Sequence, residues 1–144
     1  MTEVLTRDLV VVPGKARTRD EAIREAGDLL VGAGAVSPAY VDAMLDREAS
    51  VSTFMGNGLA IPHGTNEAKG EIFRSAMCLV RLDEPVDWGG NLARVVVGIA
   101  GVGDEHLEIL GKIAVLFSDP DQAQRVLDAP DADAVYGLLQ SVNA

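Results

Sequence analysis

The chain has 144 residues, a length suited to one compact domain with a single core, and its 48% hydrophobic and 24% charged content is that of a folded globular protein. Twelve Lys and Arg against twenty-two Asp and Glu leave a formal charge of -10, which opposes nucleic acid and anionic lipid surfaces and suits a basic partner protein. No apolar run approaches the roughly 20 residues of a membrane-spanning helix, so neither nucleic-acid binding nor direct membrane insertion is expected.

The first residues, Met1-Thr-Glu-Val-Leu-Thr-Arg-Asp8, carry charges where a secretory signal needs an apolar run. Cys78 is the single cysteine and has no partner for an internal disulfide. Both observations point to a cytoplasmic protein.

Leu9-Val-Val-Val12 is a β-branched run closed by Pro13-Gly14, the pattern of a short strand ending in a turn. Thr18 and Glu21 have the spacing of a capping box, and Ala22, Ile23, Ala26, Leu29, Leu30 and Ala33 repeat at helical spacing until Gly34. Ser37-Pro38 opens a second helix with Tyr40, Val41, Met44 and Leu45 on its buried face. Between Ser50 and Gly70 periodicity breaks around the apolar run Leu59-Ala-Ile61, which reads as a buried strand between two loops. Ala76 to Leu82 and Arg94 to Ala100 read as strands joined by a turn or hairpin across Pro85 and Gly89-Gly90. Asp104 is placed to cap a helix with Leu107, Leu110, Ile113, Ala114 and Phe117 inward, and shorter helices start near Asp119-Pro120 and near Asp131. Strands interleaved with helices predict an α/β fold, a single-domain sandwich over residues 1–144 in which a mixed, mostly parallel β-sheet carries helices on both faces.

Two histidines are present, His63 and His106. A buried strand ending in Leu59-Ala-Ile-Pro62 would deliver the His63 imidazole to the surface at a corner stiffened by proline. Gly64 would leave room beside the ring, and Thr65 could start a helical turn whose N–H groups face an anion. An imidazole with an ordinary pKa of about 6.5 is largely unprotonated at neutral pH and is a competent nucleophile toward phosphorus. By local chemistry alone, a histidine that merely hydrogen-bonds its loop is the commoner case. The glycines at 98, 101 and 103 lack the dinucleotide spacing, no Walker motif occurs, and no H-E-x-x-H or cysteine cluster suggests a metal. No cofactor or metal is therefore expected. Cys78 lies in an apolar stretch and reads as a buried structural thiol, and Trp88 reads as an aromatic cover over the sheet edge.

Glu48, Met55-Gly56 and Leu59-Ala-Ile-Pro-His63-Gly64 together resemble the active-site signature of the type-2 enzyme IIA components of the bacterial phosphotransferase system, the mannitol and fructose class. The likeness runs from Asp20-Glu-Ala-Ile through Tyr40-Val-Asp-Ala-Met44 to Glu105-His-Leu-Glu-Ile-Leu110. Ser52-Thr-Phe-Met-Gly-Asn-Gly58 and His63-Gly-Thr-Asn-Glu-Ala-Lys69 are most similar to the mannitol-specific members. The resemblance implies that His63 takes a phosphoryl group from phospho-HPr and donates it to a cysteine of the IIB component, which works with the membrane transporter IIC. It further implies that Arg47 and His106 stand beside the phosphohistidine, with Gly64 and Thr65 in the loop that supports the phosphoryl group. A fructose-specific or nitrogen-related regulatory IIA is the alternative within the family, and a hydrolase using His63 as a base is the alternative outside it.

Overall fold

The computed structural model describes residues 4–140. A 3-10 turn, Arg7–Leu9, leads into β1 (Val10–Gly14), followed by α1 (Arg19–Gly32), α2 (Ala39–Ser50), β2 (Phe54–Gly56) and β3 (Leu59–Ala60). A 3-10 helix, Asn66–Glu71, precedes β4 (Ala76–Trp88), β5 (Asn91–Ala100), α3 (Glu105–Ser118), α4 (Pro120–Asp128) and α5 (Ala132–Leu139). Half of the capping box forms as read: the Thr18 hydroxyl accepts from the Glu21 N–H, while the Glu21 carboxylate reaches one residue further back and accepts from the Arg17 N–H. Asp119 and Asp131 cap α4 and α5 through their side chains, whereas Asp104 starts α3 without a side-chain bond.

Five strands form one sheet in the order β1-β4-β5-β3-β2. The sheet is mixed, as expected, and its pairings divide evenly: β1 with β4 and β3 with β5 are parallel, β4 with β5 and β2 with β3 antiparallel. The short β2, antiparallel to β3, and the long β4–β5 hairpin together keep it from being mostly parallel. Strand β1 continues through Pro13 to Gly14 instead of stopping at Val12. It is an edge strand, where a missing N–H need not break a ladder bond. Strand β4 passes through Pro85, with a register irregularity between Arg81 and Val86, and turns at Gly89-Gly90. The three-residue β2 falls inside the segment read as loop; it is too short to show a period.

Alternation along β4 sends successive side chains to opposite faces. Cys78 points to α1, donating from Sγ to the Ala26 carbonyl at 3.2 Å. Arg81, of opposite parity, reaches the far face, where Nη1 donates to the carbonyls of Val126, Leu127 and Ala129 at the end of α4. The sheet interior is almost wholly apolar, and Trp88 is fully buried, beyond the edge cover expected of it. On α3 the inward residues are Ile109, Ile113 and Phe117, one per turn; Leu107, expected inside, is 59% exposed. Helix α3 packs against the central strand β5 and against α4, with only a narrow stripe of it covered.

Arg81 closes the last turn of α4 from beneath the sheet, satisfying carbonyls that the helix itself leaves unpaired. Arg81→Met should lower unfolding free energy by about 1–3 kcal/mol. Denaturant titration checks this, with hydrogen exchange in α4 accelerating before the rest; an unchanged midpoint would show that those carbonyls find other donors.

Candidate functional site

Strands β3 and β5 lie parallel, so their C-terminal ends open at the same edge of the sheet, the usual place for a site in an open α/β sheet. Past β3 the chain stays beside β5: the Ile99 N–H donates to the Pro62 carbonyl at 3.1 Å, and His63 pairs with Ile99 as an isolated bridge. Past β5 the chain turns through Gly101 into α3, whose first turn carries His106. A Cβ on Gly101 would stand 2.2 Å from the His106 N atom, so glycine lets α3 begin directly against the strand end. The two histidines, remote in sequence, thereby line one cleft of about 270 Å³ with Arg47, Lys69, Thr65 and Tyr40 among its walls.

Each wall has a local cause. Arg47 sits in the last turn of α2, where its Nη1 donates to the Val51 carbonyl at 2.6 Å, anchoring the head group at the cleft margin. Next to it in the chain, Glu48 is buried; its carboxylate accepts from the Thr53 N–H at 2.9 Å and from the Thr53 hydroxyl, tying the end of α2 to the segment that leads into β2 and β3. Tyr40, read from the sequence only as a core residue, bridges both strand ends. Its hydroxyl donates to the Ile99 carbonyl at 2.8 Å and accepts from the Gly64 N–H at 2.9 Å. A Cβ at Gly64 would lie 2.5 Å from the Tyr40 ring. Glycine is thus needed at 64 to admit Tyr40, and its N–H is given to that phenol instead of facing an incoming anion. Thr65 lines the cleft at the start of the 3-10 helix, without a side-chain cap bond.

The His63 ring is oriented by its own backbone. Nδ1 lies 2.9 Å from the Ile61 carbonyl, an acceptor, so Nδ1 carries the proton and Nε2 keeps its lone pair. Burial disfavours the imidazolium and holds the His63 pKa below its ordinary 6.5. The Ile61 bond opposes this, Arg47 and His106 reinforce it, and Glu48 opposes it more weakly. The neutral, nucleophilic form therefore persists as pH falls below 6.5. The unfolded chain protonates first, so the stability linked to this group is present above 6.5 and is lost as pH drops through the folded value.

His106 has a cationic neighbour that sequence reasoning passed over: Lys69 Nζ stands 3.0 Å from its Nδ1 and also donates to the Gly103 carbonyl. Lys69 belongs to the 3-10 helix, six positions after His63, and no periodic signal marks it. Cys78 lies apart from the cleft, fully buried, with its thiol pushed up to about 12 by burial; it stays protonated, as its apolar strand implied.

Fold and cleft together define an α/β protein organised around one neutral surface imidazole ringed by cationic and N–H-bearing side chains. The family model of the phosphoenolpyruvate-dependent sugar phosphotransferase system, EIIA 2, matches residues 3–142, and the chain belongs to that family. It is 49% identical over 140 residues to the mannitol-specific phosphotransferase enzyme IIA component of Halalkalibacterium halodurans, covering 97% of each chain. It is 45% identical over the full length of both chains to the protein of the same name from Staphylococcus aureus. Among solved structures it resembles a complex of enzyme IIAMTL and phosphorylated enzyme IIBMTL from Escherichia coli, with a TM-score of 0.89, 35% identity, and coverage of 95% of this chain and 97% of that one.

The Arg47 guanidinium lowers the His63 pKa, so Arg47→Met should move the His63 ring titration upward, toward 6.5. NMR of the ring protons measures it, and a midpoint that stays or falls would remove Arg47 from the electrostatics of His63. Tyr40→Phe leaves the Gly64 N–H and Ile99 carbonyl without that partner and should cost about 1–3 kcal/mol of stability in denaturant titration; a loss below about 0.5 kcal/mol would mean that water replaces the hydroxyl.

Proposed function

We propose that this chain is a phosphocarrier of the sugar phosphotransferase system that takes a phosphoryl group onto His63 Nε2 from phospho-HPr and donates it to a cysteine of a IIB component, serving mannitol uptake and phosphorylation. The observation that carries the reading is the Nδ1 bond to the Ile61 carbonyl, which leaves Nε2 as the free nucleophile of a half-buried neutral imidazole. The sugar assignment rests on the mannitol-specific relatives, and the IIB partner on the Escherichia coli complex that the fold resembles.

In the accepting step the Nε2 lone pair attacks phosphorus as the N–P bond of the donor phosphohistidine breaks; donation reverses the roles, with sulfur attacking. The His63 Nδ1 proton stays bonded to the Ile61 carbonyl throughout, so neither step waits on a base at His63. Phosphoryl transfer through a loose, in-line transition state needs positioning and charge stabilisation more than covalent help. Arg47 offers a planar fork of donors, and His106 a ring N–H, to the oxygens. Three exposed apolar side chains flank cleft residues in sequence: Phe73 beside Ile72, Val102 beside Gly101, and Leu107 beside His106. A surface of that kind suits two partner proteins that dock in turn over the same histidine and exclude water. Among the described residues no helix is long and apolar enough to cross a membrane, consistent with a component that meets its transporter from solution.

Incubation with phosphoenolpyruvate, enzyme I and HPr should place acid-labile phosphate on the wild type and none on His63→Ala; equal labelling of the two ends the case for His63. Added IIB should then strip the label. Retention of the label in its presence would favour a regulatory phosphoprotein. Arg47→Ala should retain the fold and slow labelling by about 10²–10³-fold, the usual effect of deleting one charge-stabilising donor; an unaltered rate would leave Arg47 with only its helix-end role.

A further inference from the structure

We infer that Lys69 is a positioning residue for the phosphoryl site: it dictates which nitrogen of His106 carries the proton. This rests on the phosphocarrier reading above. An ammonium group has three donors and no acceptor, so a Lys69 Nζ lying 3.0 Å from His106 Nδ1 requires that nitrogen to present a lone pair. The Gly103 carbonyl, 3.2 Å from the same nitrogen, makes the opposite demand, since it can only accept. The conflict is resolved because Lys69 also donates to Gly103, satisfying the carbonyl and leaving Nδ1 to act as an acceptor.

The proton of neutral His106 is thereby placed on Nε2. The ring lines the cleft, and with Nδ1 turned to Lys69 and Gly103, Nε2–H is the donor left for a phosphoryl oxygen. Take Lys69 away and the only group facing Nδ1 among these contacts is the Gly103 carbonyl. The favoured tautomer then reverses: Nδ1–H bonds Gly103, and Nε2 offers a lone pair to an oxygen that is itself rich in negative charge. One lysine, without touching the reacting atoms, thus decides whether His106 attracts or repels the transferred group. The same contacts hold the turn before α3 against the 3-10 helix after His63, keeping both rings in one frame.

The test is nitrogen-15 NMR of the histidine rings in the full chain, wild type against Lys69→Met and Lys69→Arg, run in alkaline buffer. Wild type should show His106 as the Nε2–H tautomer, Lys69→Met should move it toward Nδ1–H, and Lys69→Arg should restore it. In parallel, the rate of phosphoryl acceptance at saturating phospho-HPr should fall on the order of tenfold in Lys69→Met, less than the 10²–10³-fold of deleting a donor outright, with KM little altered and partial recovery in Lys69→Arg. A wild-type ring protonated on Nδ1, or a tautomer that does not respond to Lys69→Met, overturns the inference even where His63 labels normally. Failure of His63 to label leaves the tautomer readings intact and strikes the phosphocarrier reading instead. Circular dichroism of the variants shows whether the fold is retained, and a shifted tautomer with an undiminished transfer rate would also sink the proposal.

Discussion

From the Pro62 carbonyl, which accepts the Ile99 N–H, the chain leaving β3 is held along β5 beyond the end of the strand, and His63 is the residue that this contact places. The parallel pairing of β3 with β5 means that both strands end at one edge. The segments that leave these two strands must therefore meet: the loop with His63, Gly64 and Thr65 on one side, the turn into α3 with His106 on the other. Tyr40 fastens this edge to α2 by bonding a backbone group from each, and Glu48 fastens the other end of α2 to the chain before β2. The imidazole is positioned by backbone and core contacts, and not by a mobile side-chain network, which holds the ring in one geometry.

Electrostatically the chain is divided against itself. Its formal charge is -10, yet the cleft gathers Arg47, Lys69 and two imidazoles. An acidic exterior favours basic surfaces at long range, while the cleft gathers donors suited to an anion. The arrangement also keeps His63 neutral, because burial and neighbouring positive charge both disfavour a second proton. A ring poised this way keeps a free lone pair on Nε2 and stands among groups that favour an anion.

Much of this was written into the primary structure. The capping box at Thr18 and Glu21, the apolar run at Leu59, and the break at Gly34 are local signals, set by backbone hydrogen bonding and side-chain shape within a few residues, and the elements appear where these signals stand. The run Leu59-Ala-Ile-Pro-His63-Gly64 singled out the central imidazole and the family to which the chain belongs. The inward face of α3 was harder to read, because Leu107 matches the helical period but stands exposed in the first turn, before the buried stripe begins at Ile109.

Only the folded chain decided the remainder, since it depends on contacts between residues distant in sequence. The even division of the sheet comes from β2, a three-residue strand inside the segment read as loop, whose antiparallel pairing with β3 joins that of the β4–β5 hairpin. Gly64 looked like space for an incoming group, and the space belongs to the Tyr40 ring, which arrives from another helix. Lys69 carries no periodic signal, and the run from His63 that it closes did not mark it as a site residue; its place beside His106 exists because two strands end together and bring a 3-10 helix against the start of α3. Sequence specifies which atoms can donate, accept or attack, but a proton's location on a ring is fixed by what stands opposite each nitrogen, and that is a property of tertiary packing.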